Sequence, residues 1–103
     1  MVMQVVWTQR ALRRLNIAVN YGLYEFGEIA AHKFYQKIRS YEPLLATNPY
    51  MGKVEKLSIV RRYEYRSLVV HPHFKLIYYV NEVKQRVVIT YLFDTRQDPA
   101  KLS

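Results

Sequence analysis

The segment from Phe74 to Pro99, FKLIYYVNEVKQRVVITYLFDTRQDP, constrains the fold more than any other stretch. Phe74 to Val80 and Arg86 to Phe93 are rich in Val, Ile, Tyr and Phe, and a short polar link, Asn81 to Gln85, joins them. That arrangement predicts a β-hairpin with a loop of several residues. Alternation puts Leu76, Tyr78 and Val80 on one face and Lys75, Ile77 and Tyr79 on the other. Both faces are largely apolar, so the hairpin belongs in the middle of a sheet covered on at least one side. The apolar run stops abruptly at Asp94-Thr95-Arg96-Gln97-Asp98-Pro99. A charged cluster at the end of a rigid strand is placed to present chemistry or a binding contact.

The elements before this hairpin follow from spacing. Val2, Val5, Val6 and Trp7 predict a first strand over Met1 to Trp7. Thr8 stands where an N-cap belongs, ahead of Ala11, Leu15 and Ala18 at helical spacing, with Leu12 and Val19 widening the apolar stripe. Gly22 and Gly27 bracket the predicted end of this helix. A second helix begins near Glu28, its buried face marked by Ala31, Phe34, Ile38, Tyr41 and Leu45. Pro43 must break or kink it, because proline lacks a donor and collides with the preceding turn. Asn48-Pro49-Tyr50-Met51-Gly52 is turn chemistry. Lys53 to Tyr63 reads either as a short strand through Leu57, Ile59 and Val60 or as an irregular bridge. Tyr65 to Val70 is a clearer strand, turned into the hairpin by His71-Pro72-His73.

The expected fold class is therefore α+β: an N-terminal strand, a two-helix hairpin, then a three- to four-stranded antiparallel sheet packed against the helices. A chain of 103 residues is expected to form a single domain over 1–103. The absence of cysteine excludes disulfides and thiolate metal sites and fits a reducing compartment. No apolar run approaches the roughly 18–20 residues that span a bilayer, and no leader pattern opens the chain, so a cytoplasmic location is expected. The formal net charge of +8 favours an anionic partner, such as nucleic acid or an acidic protein segment. No His/Asp/Glu spacing suggests a metal site, and neither a cofactor nor a small-molecule substrate is expected.

Taken together, the helical hairpin, Leu45 with Asn48-Pro49 and Gly52, the run YRSLVVHPHFKLIYYV, and an Arg after the last strand resemble the RelE/ParE toxin superfamily. The resemblance runs from the Trp7-Thr8 helix start to Arg96. It implies the toxic half of a type II toxin–antitoxin module, neutralised by a cognate acidic antitoxin. Two activities divide that superfamily. RelE-like members cut messenger RNA on the ribosome, which needs a base for the ribose 2′-hydroxyl, an acid for the leaving oxygen and cations for the charged transition state. On that branch Lys75, Arg66 and Arg96 match the cationic positions and are the candidate catalytic residues. Leu68 and Val70, however, stand where further basic residues are expected, and no tyrosine follows Arg96 before Ser103.

ParE-like members share the fold and inhibit DNA gyrase without a catalytic group of their own. The long helical hairpin and the sparse basic set on the sheet place this chain closer to that branch. On either branch Arg96, Arg66, Lys75, Tyr79 and His73 are the candidate functional residues. Each also has a plainer role open to it: Arg96 in a salt bridge with Asp94 or Asp98, Tyr79 in cross-strand packing, and His71 and His73 as exposed turn residues. A third alternative is a nontoxic member that only binds its antitoxin.

Overall fold

The structure is a computed structural model and describes residues 2–56 and 62–96. Leu57, Ile59, Val60 and the segment Gln97 to Pro99 lie outside the described residues. The chain runs β1 (Gln4–Trp7), α1 (Gln9–Phe26), α2 (Glu28–Arg39), α3 (Tyr41–Thr47), β2 (Lys53–Val54), β3 (Tyr65–His71), β4 (Phe74–Asn81) and β5 (Arg86–Asp94). The strands form one five-stranded sheet in the order β1-β5-β4-β3-β2. The predicted hairpin is its centre, as its apolar faces require. The expected antiparallel set is present, and β1 completes it by pairing parallel with β5, Val5 opposite Val87 and Trp7 opposite Ile89, so the sheet is mixed.

Local chemistry explains the helix boundaries. The Thr8 side chain accepts the Ala11 amide at 3.1 Å, satisfying one of the donors that a helix start leaves open. α1 passes through Gly22 and ends at Gly27, where φ is +90°. At that one residue the Gly27 amide donates to Leu23 O and its carbonyl accepts from the Ala31 amide, so α1 and α2 are joined by a single glycine. Gly22 has a different use: its Cα side faces Ala31, letting the two helices pack closely. The predicted break at Pro43 appears as the end of α2 at Arg39. Residue 39 is the one whose carbonyl a proline at 43 can neither bond nor clear. Pro43 itself is tolerated in the first turn of α3, where amides have no intrahelical acceptor.

The helices cover one face of the sheet. Ala11 and Leu15 from α1, Ile38 from α2 and Leu45 from α3 pack with Val70, Leu76, Tyr78, Val87, Ile89 and Leu92 in one buried cluster. Ala31 is also buried, whereas Phe34 is only partly so, its ring set edge-on to His71 and Phe74. Two bulges re-aim the strands at one end of this layer. Val70 is the extra residue between the Val69–Lys75 and His71–Phe74 pairs, and Thr90 the extra residue between Tyr78–Ile89 and Ile77–Tyr91. Thr90 is held from both sides, donating its hydroxyl to Ile77 O at 3.2 Å and accepting from the Thr8 hydroxyl at 3.3 Å. β1 is fixed to α3 through Trp7 Nε1, which donates to Glu42 at 2.9 Å, and through the Met3 amide on Ala46 O at 2.9 Å.

Candidate functional site

β1 stops at Trp7, so the last part of β5 has no strand beside it on that side. α1 crosses there instead, and its second half continues toward the Gly27 turn. A cleft of about 330 Å³ opens between Arg14, Ile17, Ala18 and Tyr21 of α1 and Phe74, Leu92, Asp94 and Arg96 of the sheet end. A second cleft of about 300 Å³ shares Ala18, Tyr21, Phe74 and Arg96 with the first and extends it. Its other walls are Gly22, Phe26, Ala30, Phe34, His71 and His73. The two make a continuous groove, lined mostly by apolar side chains with Arg14, Asp94 and Arg96 among them.

Arg96 sits where this groove divides, and Asp94 dictates its posture. The Arg96 Nε and amide both donate to Asp94 Oδ1 at 3.0 Å, and its terminal nitrogen donates to Oδ2 at 2.9 Å. This fork holds the Asp94 carboxyl below its ordinary pKa and raises that of the guanidinium. The salt bridge open to Arg96 in the sequence is thus present, while half of its side chain stays exposed in the groove. The Thr95 amide donates to His73 O at 2.8 Å and ties the end of β5 to the β3–β4 turn. That bond brings His73 and Arg96 to one rim. Beside them burial lowers the pKa of His71, with the charges of His73, Arg96 and Lys37 acting in the same direction.

The other two predicted cations are elsewhere. Lys75 alternates with Phe74, which meets the helices, and therefore lies on the opposite face, 3.9 Å from Glu55. Arg66 is opposite Tyr78, several residues further along the sheet. It donates to Gly52 O at 2.9 Å, Tyr50 O at 3.2 Å and Glu64 at 3.1 Å, and its guanidinium lies 5.1 Å from the Tyr50 ring centre. Those bonds make it a brace for the Tyr50–Gly52 turn. Tyr79 is in a sheet-face stack, its ring centre 3.9 Å from that of Tyr63 with Tyr65 edge-on, which is the packing role open to it in the sequence. Burial first, and the neighbouring tyrosines second, raise its pKa.

The groove therefore unites His73 and Arg96 of the sequence-predicted set and leaves out Lys75, Arg66 and Tyr79. It adds Arg14, Tyr21, Phe26, His71 and Phe74, of which the sequence reading places only His71, in a turn, and Phe74, at a strand start. Their joint signal was the mismatch between a long α1 and a short β1, which leaves helix beyond the sheet for a groove to form under. Among the described residues no group of His, Asp and Glu side chains is arranged to hold a metal ion, and no helix is long and apolar enough to cross a membrane.

Residues 5–99 match the sequence profile of a family described as the ParE toxin of the type II toxin–antitoxin system, parDE. No curated protein matches by sequence. Among solved structures, the chain is similar to one of the chromosomal ParDE toxin–antitoxin system from P. aeruginosa, with a TM-score of 0.73 and 18% identity over 90% of this chain and 96% of that one. It is similar also to one of the RelBE2 toxin–antitoxin complex from Mycobacterium tuberculosis, at TM-score 0.67 and 16% identity over 91% and 99% of the two chains. The archaeal RelE–RelB complex from Pyrococcus horikoshii OT3 gives a third likeness, at TM-score 0.62 and 16% identity over 95% and 100%. At these identities the structural likeness speaks for the shared fold.

Proposed function

This chain belongs to the ParE toxin family of type II toxin–antitoxin systems, and we propose that it arrests growth by inhibiting DNA gyrase until a cognate acidic antitoxin binds it. The observation that carries the choice of target is the dispersal of the cations. A ribonuclease needs several positive groups around one phosphate, with an acid and a base in reach. Here Lys75 and Arg66 project from opposite faces of the sheet, Arg66 is committed to backbone carbonyls, and Arg96 is engaged by Asp94. The groove supports the antitoxin half of the reading. Its apolar lining of Ala18, Tyr21, Phe34 and Phe74, with Arg14 and the Arg96–Asp94 pair at one side, suits an amphipathic segment laid between α1 and the strand ends.

One observation favours the other branch. His71, His73 and Arg96 line the same cleft, and an imidazole beside a guanidinium is a workable acid–base and anion-binding pair. Paired assays separate the two: gyrase supercoiling and translation-coupled messenger RNA cleavage, each with wild type, Arg96→Ala and His73→Ala. We expect wild type to inhibit supercoiling and to leave the RNA intact. Cuts at ribosomal A-site codons that fall about a hundredfold or more in Arg96→Ala would establish the ribonuclease instead.

A further inference from the structure

The geometry points to the tip of the α1–α2 hairpin, and not the groove, as the surface that grips the toxin's target, a protein pocket that is apolar with a neutral or basic rim. This rests on the toxin reading above but not on gyrase being the target. At the Gly27 turn Tyr24, Phe26 and Ile29 are 87%, 71% and 76% exposed. All three lie within three residues of the Gly27 turn, so a partner that caps the end of the hairpin reaches them together. Rigidity adds to this. The tip is the junction of two packed helices joined by one glycine, so an aromatic there is presented with little ordering cost on binding.

Charge narrows the partner. Between Arg14 and Lys33 the chain has no lysine or arginine, although its net charge is +8, and the charged residues in that interval are Glu25 and Glu28. Phosphate backbones and acidic segments are therefore disfavoured at the tip itself. An apolar pocket with a neutral or basic rim is the complement. The two surfaces also interfere with each other. Phe26 and Tyr21 line the groove next to the tip, so a segment seated in the groove crowds any target held at Tyr24 and Ile29. Antitoxin bound at one surface would thus displace a target bound at the adjacent one.

The test uses Tyr24→Ser/Ile29→Ser and, separately, Glu25→Lys/Glu28→Lys. None of these residues lines the groove, and Tyr24 and Ile29 are mostly in solvent, so folding should survive, which circular dichroism checks. Four readouts are compared with wild type: growth arrest on induction, gyrase inhibition, binding of the antitoxin encoded beside the toxin, and oligomeric state by light scattering. We expect the apolar pair to raise the half-inhibitory concentration by about thirtyfold, the size of a lost hot spot, and to abolish growth arrest. The charge pair should weaken inhibition less, and antitoxin affinity should stay within about threefold in both. Loss of growth arrest where wild type leaves gyrase untouched keeps the tip as target surface and overturns gyrase alone. The inference is overturned if the variants arrest growth like wild type, if wild type arrests nothing, if antitoxin binding falls in parallel, or if wild type is a dimer that the variants convert to monomer.

Discussion

A Cβ added to Gly52 would lie 2.6 Å from the Tyr78 hydroxyl oxygen and 2.8 Å from Ser67 O. Tyr78 is fully buried, and its hydroxyl accepts the Gly52 amide at 2.8 Å. Burial raises the Tyr78 pKa against the opposing effect of that amide, so the hydroxyl stays neutral and structural. Glycine is required here for close approach, since nothing at this position calls for an unusual φ. Gly52→Ala should therefore destabilise the fold by about 1–3 kcal/mol through overpacking, and Tyr78→Phe by about 1–3 kcal/mol by leaving a buried amide unpaired. Tyr78→Phe removes the 2.6 Å contact but leaves Ser67 O and Tyr78 Cε1, both at 2.8 Å, so the double variant should recover only a small part of the cost of Gly52→Ala. Urea denaturation of the two single variants and the double variant measures this. A Gly52→Ala variant as stable as wild type would mean that the close approach to Ser67 and Tyr78 is not tight in solution.

Between elements, the packing of α2 on the β3–β4 turn depends on an imidazole. His71 is opposite Phe74, and both rings meet Phe34 from α2. Its pKa is lowered by burial first and then by His73, Arg96 and Lys37, so the folded state prefers it neutral. The stability this confers is complete above the unfolded imidazole's pKa of about 6.5 and is lost as pH falls from there through the lower folded value. The melting temperature should accordingly drop as pH falls below about 6.5, and drop less in His71→Phe. An equal drop in both proteins would place the acid sensitivity in another group. Hydrophobic periodicity was enough to read α1, α2 and the β4–β5 hairpin, and Pro43 announced the break that ends α2. The parallel pairing of β1 with β5 joins residues some eighty positions apart and has no local signature. Two-residue β2 is too short for any pattern to register. The same limit applies to the groove. Arg96 and His73 are individually conspicuous in the sequence, but two bulges and one long helix decide that they share a rim while Lys75 and Arg66 do not.

At the scale of the whole molecule, the groove and the hairpin tip differ in charge. Arg14 and the Arg96–Asp94 pair line the groove, and the hairpin tip carries exposed apolar side chains with only acidic charge. The acidic antitoxin proposed above would be steered by the +8 charge, and steering acts on the association rate more than on the final contacts. Raising salt from about 0.1 M to about 1 M shortens the Debye length from about 10 Å to about 3 Å. The antitoxin on-rate should therefore fall by about tenfold or more. Dissociation should change much less, because the groove floor of Ala18, Tyr21, Phe34 and Phe74 is apolar. Target binding through the tip should show a much weaker salt dependence, since burial of Tyr24 and Ile29 needs no long-range attraction. Surface-immobilised toxin exposed to antitoxin and to target over the same salt series distinguishes the two responses. An antitoxin on-rate indifferent to salt would mean that the net charge does not guide that partner, and a target on-rate that collapses with salt would move the target contact to the groove.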